Sequence, residues 1–301
     1  METATTQHVD VYQIITNRII EQLAQKVVPW RKPWTEAGHP QNLFTKRPYS
    51  GINTWLLASL GYGQNYFLTW KQIKAVGGSV KKGEKGTMVV FWKRAETQPD
   101  NGTEPAQKSA VLRYYFVFNV AQIDNLPDVL SVPYPDHAIS RIGACDEIME
   151  RMPNCPVIRH GRQKAYYDPA KDYVNMPKRG SFGSAESYYC TLFHELVHST
   201  GHGSRLARKE VTEPSGFGSD PYSIEELTAE IGACYLNSVA GIIDHEFDSS
   251  VSYIKGWIER LRGDKRMVVH ASSQAQKAAD YILNASRPQG NAEEQEAAQH
   301  Q

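Results

Sequence analysis

The nine-residue stretch HELVHSTGH, residues 194–202, constrains this chain more than any other feature, because it concentrates three histidines and a glutamate. Its first five residues match the pattern H-E-x-x-H. On an α-helix, side chains four residues apart lie on the same face, so His194 and His198 could bind one Zn²⁺ ion. Glu195, beside the first histidine, could then act as a general base toward a water molecule. The motif therefore predicts a helix with a zinc site; a helix that is simply rich in histidine is the alternative.

A catalytic zinc ion needs a third protein ligand, and the nearest histidine does not qualify. His202 lies eight residues after His194, which is about 12 Å along a straight helix and too far for one ion. A histidine at position 204 would complete the metzincin pattern, but Ser204 stands there. The segment IEELTAE, residues 224–230, offers carboxylates on the next predicted helix instead.

Glu226 and Glu230 are four residues apart and therefore share one helix face. This arrangement resembles that of gluzincins, in which a glutamate on a later helix is the third ligand. The resemblance implies Glu226 as the ligand and Glu230 as the carboxylate that orients a ligand histidine. Glu230 as the third ligand stays open, Glu225 points elsewhere, and an ordinary acidic helix face is the alternative. A tyrosine or histidine is expected to stabilise the developing oxyanion, and the candidates are Tyr188, Tyr189, Tyr222 and His202.

The formal net charge of the chain is zero, but the charge is unevenly distributed. Residues 1–94 contain 13 lysines and arginines against 5 acidic residues, whereas the rest contains 20 against 28. Five of the six tryptophans also lie in the basic part. Basic residues interleaved with aromatic residues are typical of a groove for single-stranded DNA, because cations contact phosphates and aromatic rings stack on bases. The alternative is a solvated basic surface above core tryptophans.

Trp30 and Trp34 stand among prolines and basic residues, so we expect them to be exposed, and we expect Trp55 and Trp92 to lie in the core. The candidate DNA-contacting residues are Trp30, Arg31, Lys32, Trp34, Lys46, Arg47, Tyr49, Asn53, Trp70, Lys71, Lys74, Lys81, Lys82 and Lys85.

The hydrophobic periodicity predicts an α+β fold with two domains. Helices are predicted within 9–28, 49–63, 69–78, 138–152, 184–202, 222–242, 248–264 and 268–284. Strands 86–94 and 110–123 are predicted to form an antiparallel pair around a polar loop, 95–109, and two short strands are predicted within 165–177. The proline-rich segment 124–138 marks the boundary between an α+β domain, 1–127, with a small antiparallel sheet, and a mostly helical domain, 128–288. Residues 289–301 are expected to be a disordered tail.

Several classes of protein do not fit the sequence. No apolar run approaches 18 residues, so we expect no membrane span, and the N-terminus lacks the pattern of a secretory signal. The four cysteines are scattered without a CxxC pair, which favours a reduced, cytoplasmic protein. We expect a monomer.

Several motifs together resemble the ArdC family of plasmid antirestriction proteins, and the resemblance spans residues 8–285. They are PWRKPW, YSGIN, LTWKQIKAVGGSVKKGEKGTMVVFW, YYCTLFHELVHSTGH and EELTAEIGA. The N-terminal half is also similar to the N-terminal part of TraC-type conjugative primases. The resemblance implies a domain that binds single-stranded DNA, followed by a zincin-like metalloprotease domain. It also implies protection of incoming plasmid DNA from host restriction during conjugation.

Carried over by motif, the resemblance implies His194, His198 and a glutamate of EELTAE as ligands to zinc, with Glu195 as the catalytic base. Manganese or another divalent ion is a possible substitute for zinc. Two alternatives stay open. The chain could be a DNA-associated metalloprotease that mainly cleaves a host restriction-modification subunit or another DNA-bound protein, or a DNA-binding module whose metal is purely structural.

Overall fold

The computed structural model describes residues 10–31, 39–97, 107–127, 141–213, 220–242 and 251–285. Its helices are α1 (Val11–Ala24), α2 (Ile52–Ala58), α3 (Trp70–Ala75), α4 (Arg141–Arg151), α5 (Ala185–Thr200), α6 (Lys209–Thr212), α7 (Asp220–Ala240), α8 (Val251–Gly263) and α9 (Met267–Ile282). Its strands are β1 (Gln41–Asn42), β2 (Tyr66–Thr69), β3 (Ser79–Val80), β4 (Thr87–Thr97), β5 (Gln107–Asn119), β6 (Ile123–Asp124), β7 (Val157–Arg159), β8 (Tyr166–Asp168) and β9 (Tyr173–Asn175). The predicted α+β class is confirmed.

The N-terminal half is built on a four-stranded sheet in the order β1-β2-β5-β4. The long pair β4 and β5 is antiparallel, as predicted, with Thr87 opposite Val117 and Thr97 opposite Gln107. Both strands continue into the predicted loop 95–109, of which only 98–106 lies outside the described residues. The sheet also contains a parallel pair, β1 with β2, which the sequence did not predict.

The C-terminal half is mostly helical, and its small sheet has the order β7-β9-β8. The two strands predicted within 165–177 are confirmed as β8 and β9, and β7, which pairs with β9 in parallel, was not predicted. Helix α7 packs against both α5 and α9, and the sheet lies against α5. Across the described ranges, every helix is too short or too polar to cross a membrane.

One hydrophobic core runs through both halves. Trp30 is fully buried, and its ring packs edge-on against Trp55, at 6.0 Å between centroids, and against Trp257, at 6.3 Å. The expected exposure of Trp30 is therefore wrong, because a 3-10 turn at Pro29–Arg31 brings its ring into this core. The core position of Trp55 is confirmed, and its Nε1 donates to Ser272 Oγ at 3.2 Å.

Trp92 was expected in the core but is 38% exposed. Its strand, β4, lies at one edge of the sheet, where Tyr12 of α1 packs edge-on against the indole at 6.4 Å. Most of the predicted boundary region and the whole predicted tail belong to 128–140 and 286–301, which lie outside the described residues.

We expect Gly232→Ala to destabilise the protein, because α5 and α7 approach each other closely at this glycine. A Cβ at position 232 would lie 2.8 and 2.9 Å from the two methyl groups of Val197. Such overpacking costs about 1–3 kcal/mol and outweighs the gain in helix propensity, about 1 kcal/mol, that alanine brings. The free energy of unfolding in urea measures the effect.

Gly263→Ala is the matched control, since a Cβ there would meet no heavy atom within 4 Å. Adding Val197→Ala to Gly232→Ala should restore part of the lost stability. Equal stability of the Gly232→Ala and Gly263→Ala variants would contradict the close helix contact.

Candidate metal centre

Helix α5 presents the H-E-x-x-H motif toward α7. The helix begins at a Ser184 cap, whose Oγ accepts a hydrogen bond from Ser187 N at 3.0 Å, and its core face buries Leu192, Phe193 and Leu196. The two motif histidines lie on the neighbouring face, which is only partly buried. The predicted helical setting of the motif is therefore confirmed.

The side chains of His194, His198 and Glu226 converge between α5 and α7. One ligand atom of each lies within 4.8 Å of the others. The two Nε2 atoms are 3.1 Å apart, and they lie 3.7 and 3.6 Å from the Glu226 carboxylate oxygens. A tetrahedral ion with bonds of about 2.0–2.1 Å separates its ligand atoms by about 3.3 Å. Two imidazoles and one carboxylate at these separations fit a divalent ion such as Zn²⁺.

The orientation of His198 is fixed by a buried chain of charged groups. Its Nδ1 donates to Glu225 Oε1 at 3.0 Å, which turns Nε2 toward the cluster. Arg208 holds the same carboxylate with two bonds, from Nη2 at 2.6 Å and from Nε at 2.9 Å. Arg208 also donates to Val197 O at 2.8 Å, so the chain of contacts returns to α5. Carboxylates in this position fix the ring orientation of a ligand histidine and raise its basicity.

The sequence predicted this orienting role for Glu230, and the structure differs. Glu230 Oε2 accepts hydrogen bonds from Trp30 Nε1, at 3.2 Å, and from the Tyr253 hydroxyl. Glu225, which the sequence predicts to point elsewhere, contacts the histidine instead. Spacing along α7 could not reveal this choice, because Arg208 precedes α6 and lies outside both site helices.

The charged groups of the cluster shift one another's pKa values. Burial opposes the charged form of His198, but the bond to Glu225 and the charges of Glu225, Glu226 and Glu195 outweigh it and raise the pKa of His198 to about 8. Burial likewise opposes ionisation of Glu226, but the bond to His194 and both histidine charges lower the pKa of Glu226 to about 2. The Glu226 carboxylate therefore stays ionised near neutral pH and attracts cations.

Two further groups, Glu195 and Tyr222, interact electrostatically with residues of the cluster. Glu195 is buried, and its charge is among those that act on both His198 and Tyr222. Burial and the nearby Glu226 carboxylate raise the pKa of Tyr222 to about 12, so its hydroxyl stays protonated and donates to Glu226. Glu226 and Tyr222 also line a cleft of about 220 Å³ between α7 and α8.

Most of the candidate DNA-contacting residues that the structure describes lie on the surface of the N-terminal half. The exposed ones are Lys46, Arg47, Trp70, Lys71, Lys74, Lys81, Lys82 and Lys85. Trp70 is 46% exposed, and Lys74 Nζ lies 5.2 Å above its ring. Lys46 Nζ lies 5.3 Å above the Tyr66 ring. Cations and aromatic faces are therefore adjacent on this surface.

Three of the DNA candidates are buried and cannot contact DNA, which corrects the sequence prediction. Trp30 belongs to the core described above. Tyr49 packs edge-on against Phe67 at 6.1 Å. The Asn53 amide exchanges hydrogen bonds of 2.6 and 2.8 Å with the Val90 backbone, which attaches α2 to β4. Lys32, Trp34 and the Arg31 side chain lie outside the described residues.

One exposed aromatic residue on the same surface was not predicted from the sequence. Phe116 of β5 is 40% exposed and packs edge-on against Tyr114 at 5.8 Å. Gly86 lies directly beside it, since a Cβ at Gly86 would be 3.0 Å from Phe116 Cβ. The alternation of Tyr114, Phe116 and Phe118 along one strand was the signal that could have identified this row.

Comparisons with known proteins find a different family for each half of the chain. Residues 9–118 match the N-terminal domain of anti-restriction factor ArdC, and residues 146–274 match a zincin-like metallopeptidase family. Two crystal structures of the antirestriction protein ArdC from plasmid R388 are similar, each with a TM-score of 0.72. The metal-free one is 37% identical and covers 93% of this chain, and the Mn(II)-bound one is 36% identical and covers 97%; the match spans 100% of both.

Among curated relatives, the DNA primase TraC of Escherichia coli is 35% identical over 292 residues. That match covers 90% of this chain but only 20% of the primase. The chain also spans 27% of a second TraC primase. An uncharacterised protein of Sinorhizobium fredii, y4eC, is 33% identical over 291 residues, and the match covers 91% of each chain.

We expect Glu225→Gln to lower the affinity for Zn²⁺ by about 10–100-fold, because it removes the charged partner of His198. Glu230→Gln, a matched change on the same helix, should have a smaller effect. Competition with a chromogenic chelator measures both affinities. A larger loss in Glu230→Gln than in Glu225→Gln would restore the role that the sequence predicted for Glu230.

Proposed function

The chain belongs to the ArdC family, and we propose that it is an antirestriction protein that binds single-stranded DNA and carries a zinc metallopeptidase site. We assign DNA binding to residues 1–127 and the peptidase to residues 128–288. The convergence of His194, His198 and Glu226 beside Glu195 is the observation that carries the peptidase assignment. The similarity to a Mn(II)-bound relative supports a divalent ion.

A divalent ion bound there would polarise a peptide carbonyl and lower the pKa of a water molecule. Glu195 would take the proton from that water and pass it to the leaving amine. Tyr222 donates a hydrogen bond to Glu226 and faces the cleft, which suits it to stabilise negative charge on the carbonyl oxygen. Glu225 and Arg208 would keep His198 in its ligand orientation.

A purely structural metal is the less favoured alternative. Structural zinc sites are closed by four protein ligands, whereas catalytic sites have three and an open position. Within the described residues, the cluster offers three ligands, and the side chains of His194 and Glu226 are partly exposed. Glu226, one of the three ligands, also lines the cleft between α7 and α8.

DNA binding is supported by the mixed basic and aromatic surface of the N-terminal half. Lys74 and Trp70 form one such pair, and Lys81, Lys82 and Lys85 follow on the exposed turn before β4. Exposed rings can stack on unpaired bases, but bases within a duplex are not accessible to them. This surface therefore favours single-stranded DNA.

Two sets of changes test the DNA surface: one removes base stacking, and the other removes contacts with phosphates. Trp70→Ala should weaken binding of a single-stranded oligonucleotide by about 1–3 kcal/mol through loss of stacking, with little change in salt dependence. The double change Lys81→Glu and Lys82→Glu should weaken binding and lower the slope of log K against log salt by about 0.7 per lost phosphate contact. Fluorescence anisotropy at several salt concentrations measures both.

Lys171→Glu serves as the charge control, because this exposed lysine lies in the C-terminal half. A slope unchanged by the double change, or lowered equally by Lys171→Glu, would contradict the placement of DNA on this surface.

Glu195→Gln tests the peptidase assignment. The variant should keep one metal ion and wild-type DNA affinity but lose at least about 10²-fold in hydrolysis of an unfolded test protein, because it lacks the general base. Hydrolysis at the wild-type rate would contradict the assignment. Protection of plasmid DNA in restricting cells, measured with the same variant, separates the mechanisms: full protection without hydrolysis assigns antirestriction to DNA binding alone.

A further inference from the structure

The cleft between α7 and α8 shares Glu226 with the metal cluster and extends away from it along α8. Its lining includes Glu226 and Tyr222 on α7, and Tyr253, Gly256, Trp257 and Arg260 on α8. Because Glu226 belongs to both the cluster and the cleft, a substrate bound at the metal would have the cleft immediately beside it. The volume, about 220 Å³, is below the range of about 300–1,000 Å³ for whole small-molecule ligands. It suits one side chain.

Gly256 keeps this space open. A glycine inside a helix costs about 1 kcal/mol relative to alanine, so its presence needs a local reason. A Cβ built at position 256 meets only the Arg260 guanidinium, at 3.3 Å, which is the flexible end of a side chain. Helix packing therefore does not exclude a side chain at this position. A side chain at position 256 would instead fill part of the cleft.

The side of the cleft formed by α8 carries two aromatic rings, which contacts with neighbouring side chains hold in place. Tyr253 packs edge-on against Trp257, with 6.3 Å between centroids, and the Tyr253 hydroxyl donates to Glu230. The Arg260 guanidinium lies 5.4 Å above the Trp257 ring. Aromatic walls favour apolar and aromatic side chains. The lining also carries the carboxylates of Glu226 and Glu230 and the guanidinium of Arg260, so a charged side chain of either sign would meet a like charge there.

We propose that this cleft is the specificity pocket of the peptidase site and that it takes one bulky, uncharged side chain of a protein substrate, aromatic or long and aliphatic. The inference rests on the proposed peptidase function and adds the substrate class. It predicts cleavage next to bulky apolar residues, which folded proteins bury and unfolded segments expose.

Three hydroxamates test the pocket without requiring turnover, because the hydroxamate group itself binds a zinc ion. Acetohydroxamate has no side chain, 3-phenylpropanohydroxamate has a phenyl group, and succinate monohydroxamate has a carboxylate. Calorimetry on the zinc-loaded full chain should give a Kd for the phenyl compound about tenfold or more below that of acetohydroxamate. The acidic compound should bind no more tightly than acetohydroxamate.

Gly256→Leu should remove the advantage of the phenyl compound and leave the Kd of acetohydroxamate unchanged. Gly263→Leu, the same change near the end of the same helix, should retain the advantage, since a Cβ there has open space around it. Gly256→Ala should reduce the advantage partly, and it replaces the leucine variant if that variant unfolds.

Equal affinity of wild type for the phenyl compound and acetohydroxamate would overturn the pocket and leave the metal site intact. Retention of the full advantage in both Gly256 variants would overturn it as well. A chain that takes up no zinc, or that binds no hydroxamate when loaded, would overturn the peptidase site and the pocket together.

Discussion

The close contact between α5 and α7 is the constraint on which the rest of the site depends. Gly232 lets the two helices approach until Val197 occupies the space of a side chain, and this brings Glu226 to the two histidines. The buried pair of Arg208 and Glu225 then fixes the rotation of the histidine ring. Removing one partner of such a buried pair typically lowers the free energy of unfolding by about 3–5 kcal/mol. The pair that orients the histidine therefore also stabilises the fold.

The two halves of the molecule are physically continuous. Trp30 precedes the basic segment of the N-terminal half, yet its ring lies in the shared core and its Nε1 bonds to Glu230, one turn beyond the candidate ligand Glu226. Tyr235 of α7 likewise donates to the backbone oxygen of Gly51, at 2.6 Å. The helix that carries the glutamates is therefore packed against the half that we assign to DNA binding.

Sequence patterns predicted what depends on local periodicity. The helical setting of His194 and His198 followed from their spacing, and the long β4–β5 pair followed from β-branched and aromatic runs. Local patterns did not predict the burial or the partner of a side chain where contacts between distant segments determine it. Trp30 looked exposed among its prolines but fills the core, and the choice between Glu225 and Glu230 depended on Arg208. Short strands such as β1 and β7 carry too few residues to show a period.

The most direct test of the central claim, that His194, His198 and Glu226 together hold one divalent ion, is a calorimetric titration of the metal-free chain with Zn²⁺. We expect one ion bound per chain for the wild type and no binding at this site for His194→Ala. No uptake by the wild type, or the same stoichiometry and affinity in His194→Ala, would contradict it.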